Sequence, residues 1–205
     1  MSTSVIATVA GVPVSPGVLD AAEERLRAAR GAAALPVSGT GEGRQLRRWL
    51  TQLIVTERVV AVEAAARGLT AGGAPAEAEL LPDATARLEI GSVAAAVLAD
   101  PRARALFADV TAAVRVGDTE VAAYHARNPL RFAEPLSGEH GWRTPAPTGP
   151  PLEEVRSAIE EHLRGATRRR AFRLWLDARR AALVELAPGY EHPGDPRQPD
   201  NTHRH

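Results

Sequence analysis

The sequence predicts a mainly α-helical domain in which the N- and C-terminal segments pack together around a small β-hairpin and one late strand. Three observations lead there. Two long stretches, Arg44 to Gly68 and Pro151 to Ala182, carry apolar residues at spacings of three and four, the repeat of a helix face. Short β-branched or apolar runs stand near both ends, Val5 to Val14 and Leu183 to Leu186, and neither is long enough to be a stable sheet alone. The 205 residues, 44% hydrophobic and 24% charged, suffice for one ordinary core. We expect a single domain over 1–187 and a polar, proline- and histidine-rich tail over 188–205.

Val5–Val9 and Val12–Val14 flank Ala10-Gly11, which reads as a hairpin with glycine supplying the turn geometry. Ser15 suits an N-cap and Pro16 the first helical position, and Val18, Leu19, Ala22 and Leu26 mark one face of a helix running to Arg30. Gly31–Gly43 is small and glycine-rich, hence a linker. Leu46, Trp49, Leu50, Leu53, Ile54, Val60 and Ala64 mark the long helix that stops at Gly68. Gly72, Gly73 and Pro75 break Ala71–Pro82, which fits no element. Asp83–Leu98 and Pro101–Val110 read as two helices capped by Asp83 and Asp100, and Val114–Val116 as a short extended piece. Asp118–Arg127 has the acidic start and basic end that complement a helix dipole, and Asn128-Pro129 ends it. Phe132–Pro151, rich in proline and glycine, is an irregular connector. Pro151 opens the last helix, with Leu152, Val155, Ile159, Leu163, Ala166, Leu174 and Ala178 along one side.

Composition excludes several function classes. There is no cysteine, so disulfides, iron–sulfur clusters, thiolate zinc sites and cysteine nucleophiles are ruled out. Basic and acidic residues balance at 25 each, so no global field draws the chain to nucleic acid or anionic lipid. All 25 basic residues are arginine, the mark of a GC-rich coding sequence. Met1–Pro16 has no positive residue ahead of its apolar part and does not read as a signal peptide. The longest apolar run, Ile54–Leu69, is interrupted by Glu57, Arg58, Glu63 and Arg67, so no membrane-spanning helix is expected. These features predict a soluble, cytoplasmic protein.

The order of segments resembles the parvulin-type foldases, the SurA and PrsA class of periplasmic or surface chaperones. Their opening turn, V-x-V-N-G-x-x-I, is matched by Val9, Gly11 and Val14, with Ala10 where asparagine is usual. LRRWLTQLIVTERVVAVEAAARGL is similar to their second helix, and VAAYHARNPLRFAEP to the segment leading into the isomerase domain. EEVRSAIEEHLRGATRRRAFRLWLDARRAALVEL resembles the helix and strand that follow that domain and return to the N-terminal part. Only Ala133–Pro150 stands where the isomerase domain lies in the family, far below the roughly 50 residues a domain needs. The R-x-x-H-I-L strand is absent, the second catalytic histidine has no counterpart, and GEHGW at Gly138–Trp142 is similar to a remnant of the domain's late turn. The resemblance implies a SurA-like chaperone module without parvulin prolyl isomerase activity.

Candidate chemistry falls in three places. The tail brings His192, Asp195, Asp200, His203 and His205 together, and neutral imidazoles with carboxylates suit zinc, nickel or copper; a solvated tail is the competing reading. Tyr124, His125, Glu139 and His140 flank the connector, where a histidine beside a carboxylate can act as general acid or base; no nucleophile or oxyanion motif accompanies them, and surface polar residues are the plainer reading. Trp49, Leu53, Phe172 and Trp175 are candidates for an apolar ligand groove or for plain core. Gly39–Gly43 lacks the lysine of a phosphate loop, and Arg164–Arg180 is interleaved with enough acid to read as a solvated face rather than a nucleic-acid surface.

Two functions remain in play. The first is a foldase-like chaperone or accessory protein holding unfolded or extended polypeptide in a helical groove. The second is a small-molecule biosynthetic enzyme, a cyclase or isomerase, that takes a hydrophobic small molecule in the same groove. Both need an apolar cleft with a few polar groups.

Overall fold

The structure, a computed structural model, describes residues 5–29, 32–132 and 149–193. It is mainly helical with a small three-stranded antiparallel sheet, as expected. A hairpin of β1 (Ala7–Val9) and β2 (Val12–Val14) leads into α1 (Pro16–Ala28) and a short 3-10 turn at Ala32–Ala34. The long α2 (Gly41–Ala66) follows, then α3 (Glu77–Leu80), α4 (Ala84–Ile90), α5 (Ser92–Val97), α6 (Pro101–Val110) and α7 (Asp118–Arg127). The 32-residue α8 (Leu152–Leu183) runs directly into β3 (Val184–Leu186).

The sheet order is β2-β1-β3, so the first strand sits between its hairpin partner and the strand that ends α8. Ala7 faces Leu186 and Val9 faces Val184. Main-chain bonds extend the ladder at both ends, from Ala10 N–H to Leu183 C=O (2.8 Å) and from Ala187 N–H to Ile6 C=O (3.0 Å). These bonds turn the even residues of β1 toward β3, so Pro13, opposite Thr8, points its missing N–H at the open edge of β2. That proline blunts an edge on which Val12 is 57% exposed.

Several elements differ from the sequence reading for identifiable reasons. The predicted helix Asp83–Leu98 is split at Gly91, whose φ of 90° no L residue adopts readily, so α4 and α5 leave it in different directions. The long helix begins at Gly41 rather than Arg44 because the Thr40 hydroxyl accepts the Gly43 N–H (3.1 Å). Asp83 and Asp100 cap as expected, accepting from Ala86 N–H and Arg102 N–H (both 2.8 Å). Glu77–Leu80 forms one helical turn within the ambiguous stretch Ala71–Pro82, and Val114–Val116 is coil, not a strand.

α2 is the central helix, packed by α1, α5, α6 and β1. Its Leu50, Ile54, Val55, Val59 and Val60 enter the main core with Ile6, Val9 and Val14 of the hairpin region, Leu19 of α1, Leu106 and Phe107 of α6, and Phe172 and Leu176 of α8. The N-terminal half of α8 leaves that core. With α7 it builds a smaller cluster of Val121, Val155 and Ile159, bordered by Tyr124, Phe132, Leu152 and Leu163. Packing also continues past 187: Arg48 Nε donates to Gly189 C=O (3.3 Å), Gln52 Nε2 to Tyr190 C=O (3.0 Å), and the Tyr190 ring lies against the core.

Candidate functional site

Of the four residues expected beside the connector, Tyr124 and His125 are described and Glu139 and His140 lie outside the described residues. Tyr124 on α7 does not pair with His125. Its hydroxyl lies 3.2 Å from Nε2 of His162 on α8, and Phe132 stands edge-on to both rings at centroid distances of 6.4 and 6.1 Å. His125 instead donates Nε2–H to the Pro150 carbonyl (2.9 Å). The two ends of the connector thus run side by side. Gly149 sits so close to Pro129 that a Cβ there would come within 2.1 Å of the Pro129 carbonyl oxygen. His162 escapes sequence reading because its partner is 38 positions away and no motif surrounds it.

The four proposed groove residues lie at the main core. Phe172 is fully buried between the rings of Phe107 (centroids 5.0 Å apart) and Trp175 (5.7 Å). Trp175 carries the Arg67 guanidinium on its ring, 5.3 Å from the centroid. Trp49 donates Nε1–H to Ser92 Oγ (3.2 Å), tying α2 to α5, and Leu53 is half-buried against the core.

A groove exists elsewhere, along the α8 face that turns to α4 and α5. A cleft of about 380 Å³ is lined by Ala78, Pro82, Ala86 and Ala158 with Glu161, His162 and Arg169. It meets a cleft of about 420 Å³ at Ala166, Thr167, Arg170 and Arg173, the two sharing Glu89. That one shares Arg173 with a third, of about 170 Å³, lined by Ile90, Ser92, Leu176, Asp177, Arg180 and His192. From Ala158 to Arg180 the groove measures about 33 Å at the helical rise. Its partition is an ion pair, Arg169 Nε to Glu89 Oε2 (2.8 Å), with Arg169 also donating to the Leu80 carbonyl (3.3 Å). The missed signal is physical: alanines and a glycine make room for a ligand without any chemical signature.

A separate cleft of about 360 Å³ between α2 and the α5–α6 corner is lined by Glu57, Val60, Ala61, Ala96, Val97 and Asp100. Burial pushes the Glu57 carboxyl above its ordinary value; Arg25 opposes the shift and Asp100 adds to it. Two other carboxylates are structural. Burial raises Glu63, but hydrogen bonds from Arg67 and Arg179 outweigh it and leave the carboxyl below its ordinary value. Glu23 shows the same balance, with burial opposed by Arg27, Arg47 and Ser38, and so ties α1 to the start of α2.

Of the expected metal ligands, His192 lines the third cleft, while Asp195, His203 and His205 lie outside the described residues. Among the described residues no group of three or more histidines and carboxylates is placed to hold a metal. None of their helices is long and apolar enough to cross a membrane.

The profile of a family of unknown function, DUF7158, matches residues 5–42. That span covers the hairpin, α1 with Glu23 and its partners Arg27 and Ser38, and the first residues of α2, and none of the α8 groove. No curated protein and no solved structure matches the chain.

Proposed function

We propose that the protein is a foldase-like accessory module that binds unfolded or extended polypeptide along the α8 groove, without parvulin isomerase activity. The observation that carries this reading is the succession of three clefts along α8, neighbouring ones sharing a lining residue: the about 33 Å they span equals about ten residues of extended chain. Two exposed leucines, Leu88 on α4 and Leu174 on α8, stand on the helices that wall it. The fold agrees with a foldase relationship in two respects. The N-terminal hairpin is completed by a strand that follows the last helix, and the connector leaves and returns at one point, where Pro129 meets Gly149. Closely spaced ends are what an inserted domain requires.

The test is suppression of aggregation of a chemically unfolded client, followed by light scattering. The native chain is expected to suppress it, and Ala158→Trp or Ala166→Trp, which fill the groove from its floor, to abolish suppression without lowering thermal stability. Native protein without effect on any client overturns the reading, as does rapid cis/trans turnover of a proline peptide, a reaction slow enough uncatalysed to follow directly.

The enzyme reading has one observation of its own. Tyr124 Oη and His162 Nε2 form a hydrogen-bonded pair beside the 380 Å³ cleft that His162 lines, an arrangement able to move a proton to or from a small molecule bound there. A ligand whose turnover is lost in both Tyr124→Phe and His162→Gln would favour it.

A further inference from the structure

The groove is electrically polar along its length. At the end near the start of α8 its lining includes Glu79, Asp83 and Glu161 with Arg131 and the paired Glu89 and Arg169, and at the other end Arg170, Arg173 and Arg180 with Asp177, so acid outnumbers base at the first end and base outnumbers acid at the second. The third cleft lies at that cationic end. The segment after β3 crosses there, held by the bonds from Arg48 to Gly189 and from Gln52 to Tyr190, and His192 forms part of the wall.

Among the described residues both guanidiniums in this cleft are bonded only to neutral acceptors. Arg173 Nη1 donates to the Glu89 carbonyl (3.1 Å), and Arg180 Nη2 donates to Gln52 Oε1. Among the described residues Arg180 Nε is buried without a hydrogen-bond partner, and Asp177, the carboxylate of the cleft, acts on Arg180 through its charge without forming a close ion pair with either arginine. Of the five N–H donors on each guanidinium, one is committed. Elsewhere on α8, Arg156, Arg164, Arg169 and Arg179 all meet carboxylates. A pair of guanidiniums lining one small, half-open cleft of about 170 Å³, with donors to spare, is suited to one carboxylate held in bidentate fashion.

We infer that the third cleft seats the C-terminal carboxylate of an extended polypeptide, clamped by Arg173 and Arg180, with the chain running back along α8 toward the acidic end. This rests on the groove being a polypeptide site. From Arg180 to Glu161 is about 28 Å of helix, or about eight residues of extended peptide. The preferred partner thus ends in a free carboxylate and carries lysine or arginine roughly eight residues upstream, opposite Glu161 and Asp83.

The experiment is fluorescence anisotropy on the full chain with an N-terminally labelled peptide of about ten residues, apolar in its last half and with two lysines near its start. It is made as the free acid and as the C-terminal amide. The free acid is expected to bind at least tenfold more tightly than the amide. Arg173→Gln, an exposed position that leaves the core untouched, is expected to erase that preference; Arg180→Lys checks the second guanidinium. Replacing the two lysines by glutamates is expected to weaken binding severalfold, less so at high salt. Equal binding of acid and amide overturns the carboxylate seat but leaves the groove standing, whereas binding of neither, with no client suppressed, overturns the groove as well. Inorganic phosphate saturating the cleft with no acid-over-amide preference assigns it to a free anion and overturns the proposal.

Discussion

Thr8 donates its hydroxyl to the Glu185 carboxylate across 3.3 Å, to a partner 177 positions further along the chain. The bond is exposed and weak on its own. It marks where the two ends of the fold depend on each other, because Val9 faces Val184 and Ala7 faces Leu186 on either side of it.

Removing Ala182–His205 is therefore expected to destabilise the whole domain and not merely fray its end. The deletion takes away the ladder bonds of Ala10 and Ala187, each about 1 kcal/mol. It also removes the core contacts of Leu183, Val184, Leu186 and Tyr190. Together these amount to roughly 3–5 kcal/mol, a large part of a typical domain stability of about 5–15 kcal/mol. Urea unfolding measures the loss. An unchanged midpoint would mean that the hairpin holds to α2 without β3.

Ala10 is the one non-glycine residue at positive φ among the described residues, at 49°, followed by Gly11 at 78°. Two positive φ values make this a type I′ turn, for which Asn-Gly is the favoured pair. Ala10→Asn is expected to stabilise the protein by about 1 kcal/mol, since asparagine tolerates the left-handed region that alanine resists. That is a rise of about 2–4 °C in Tm for a chain of this size. A fall in Tm would show that the Ala10 methyl makes a contact that outweighs the strain.

Much of this architecture is legible in the sequence because it is written in local chemistry. Asp83, Asp100 and Pro16 mark helix starts, the charges of Asp118–Arg127 mark a helix from end to end, and the two short apolar runs need each other. What is not legible depends on register between helices. Gly91 breaks an alanine-rich stretch that has good helix propensity on both sides. Tyr124 draws attention as a polar aromatic beside the connector, but its partner His162 follows only from how α7 lies on α8. Trp49, Phe172 and Trp175 read as either a ligand groove or plain core and lie at the core, while the clefts along α8 are lined by alanines that no motif distinguishes.

The aromatic cluster and the groove can be separated experimentally. Phe172 is fully buried, so Phe172→Ala is expected to cost about 3–5 kcal/mol through the cavity it leaves. Trp175→Ala removes a half-buried ring stacked on Phe172 and beneath Arg67, and is expected to cost less, about 2 kcal/mol. Under folding conditions Trp175→Ala leaves client suppression intact while Ala166→Trp removes it. The reverse order would return the ligand site to the aromatic cluster.

Glu63 gives the pH dependence a defined sign. Its carboxylate is 5% exposed and accepts from Arg179 Nε at 2.6 Å and from Arg67, which also reaches Asp109 at 3.3 Å. Because these bonds hold its pKa below the ordinary value, the unfolded chain takes up the proton first as pH falls. The stabilisation is thus fully present above the unfolded carboxylate pKa of about 4.3 and is lost as pH drops through the lower folded value. Glu63→Gln is expected to cost about 2 kcal/mol at pH 7, less than the 3–5 kcal/mol of a fully buried pair because both arginines are partly in water. The gap between native and variant is expected to hold from about pH 7 to pH 5 and to narrow below about pH 4. Thermal unfolding of the two proteins across that range checks it. A gap that widens in acid would mean that the carboxyl takes its proton more readily in the folded state than in the unfolded chain.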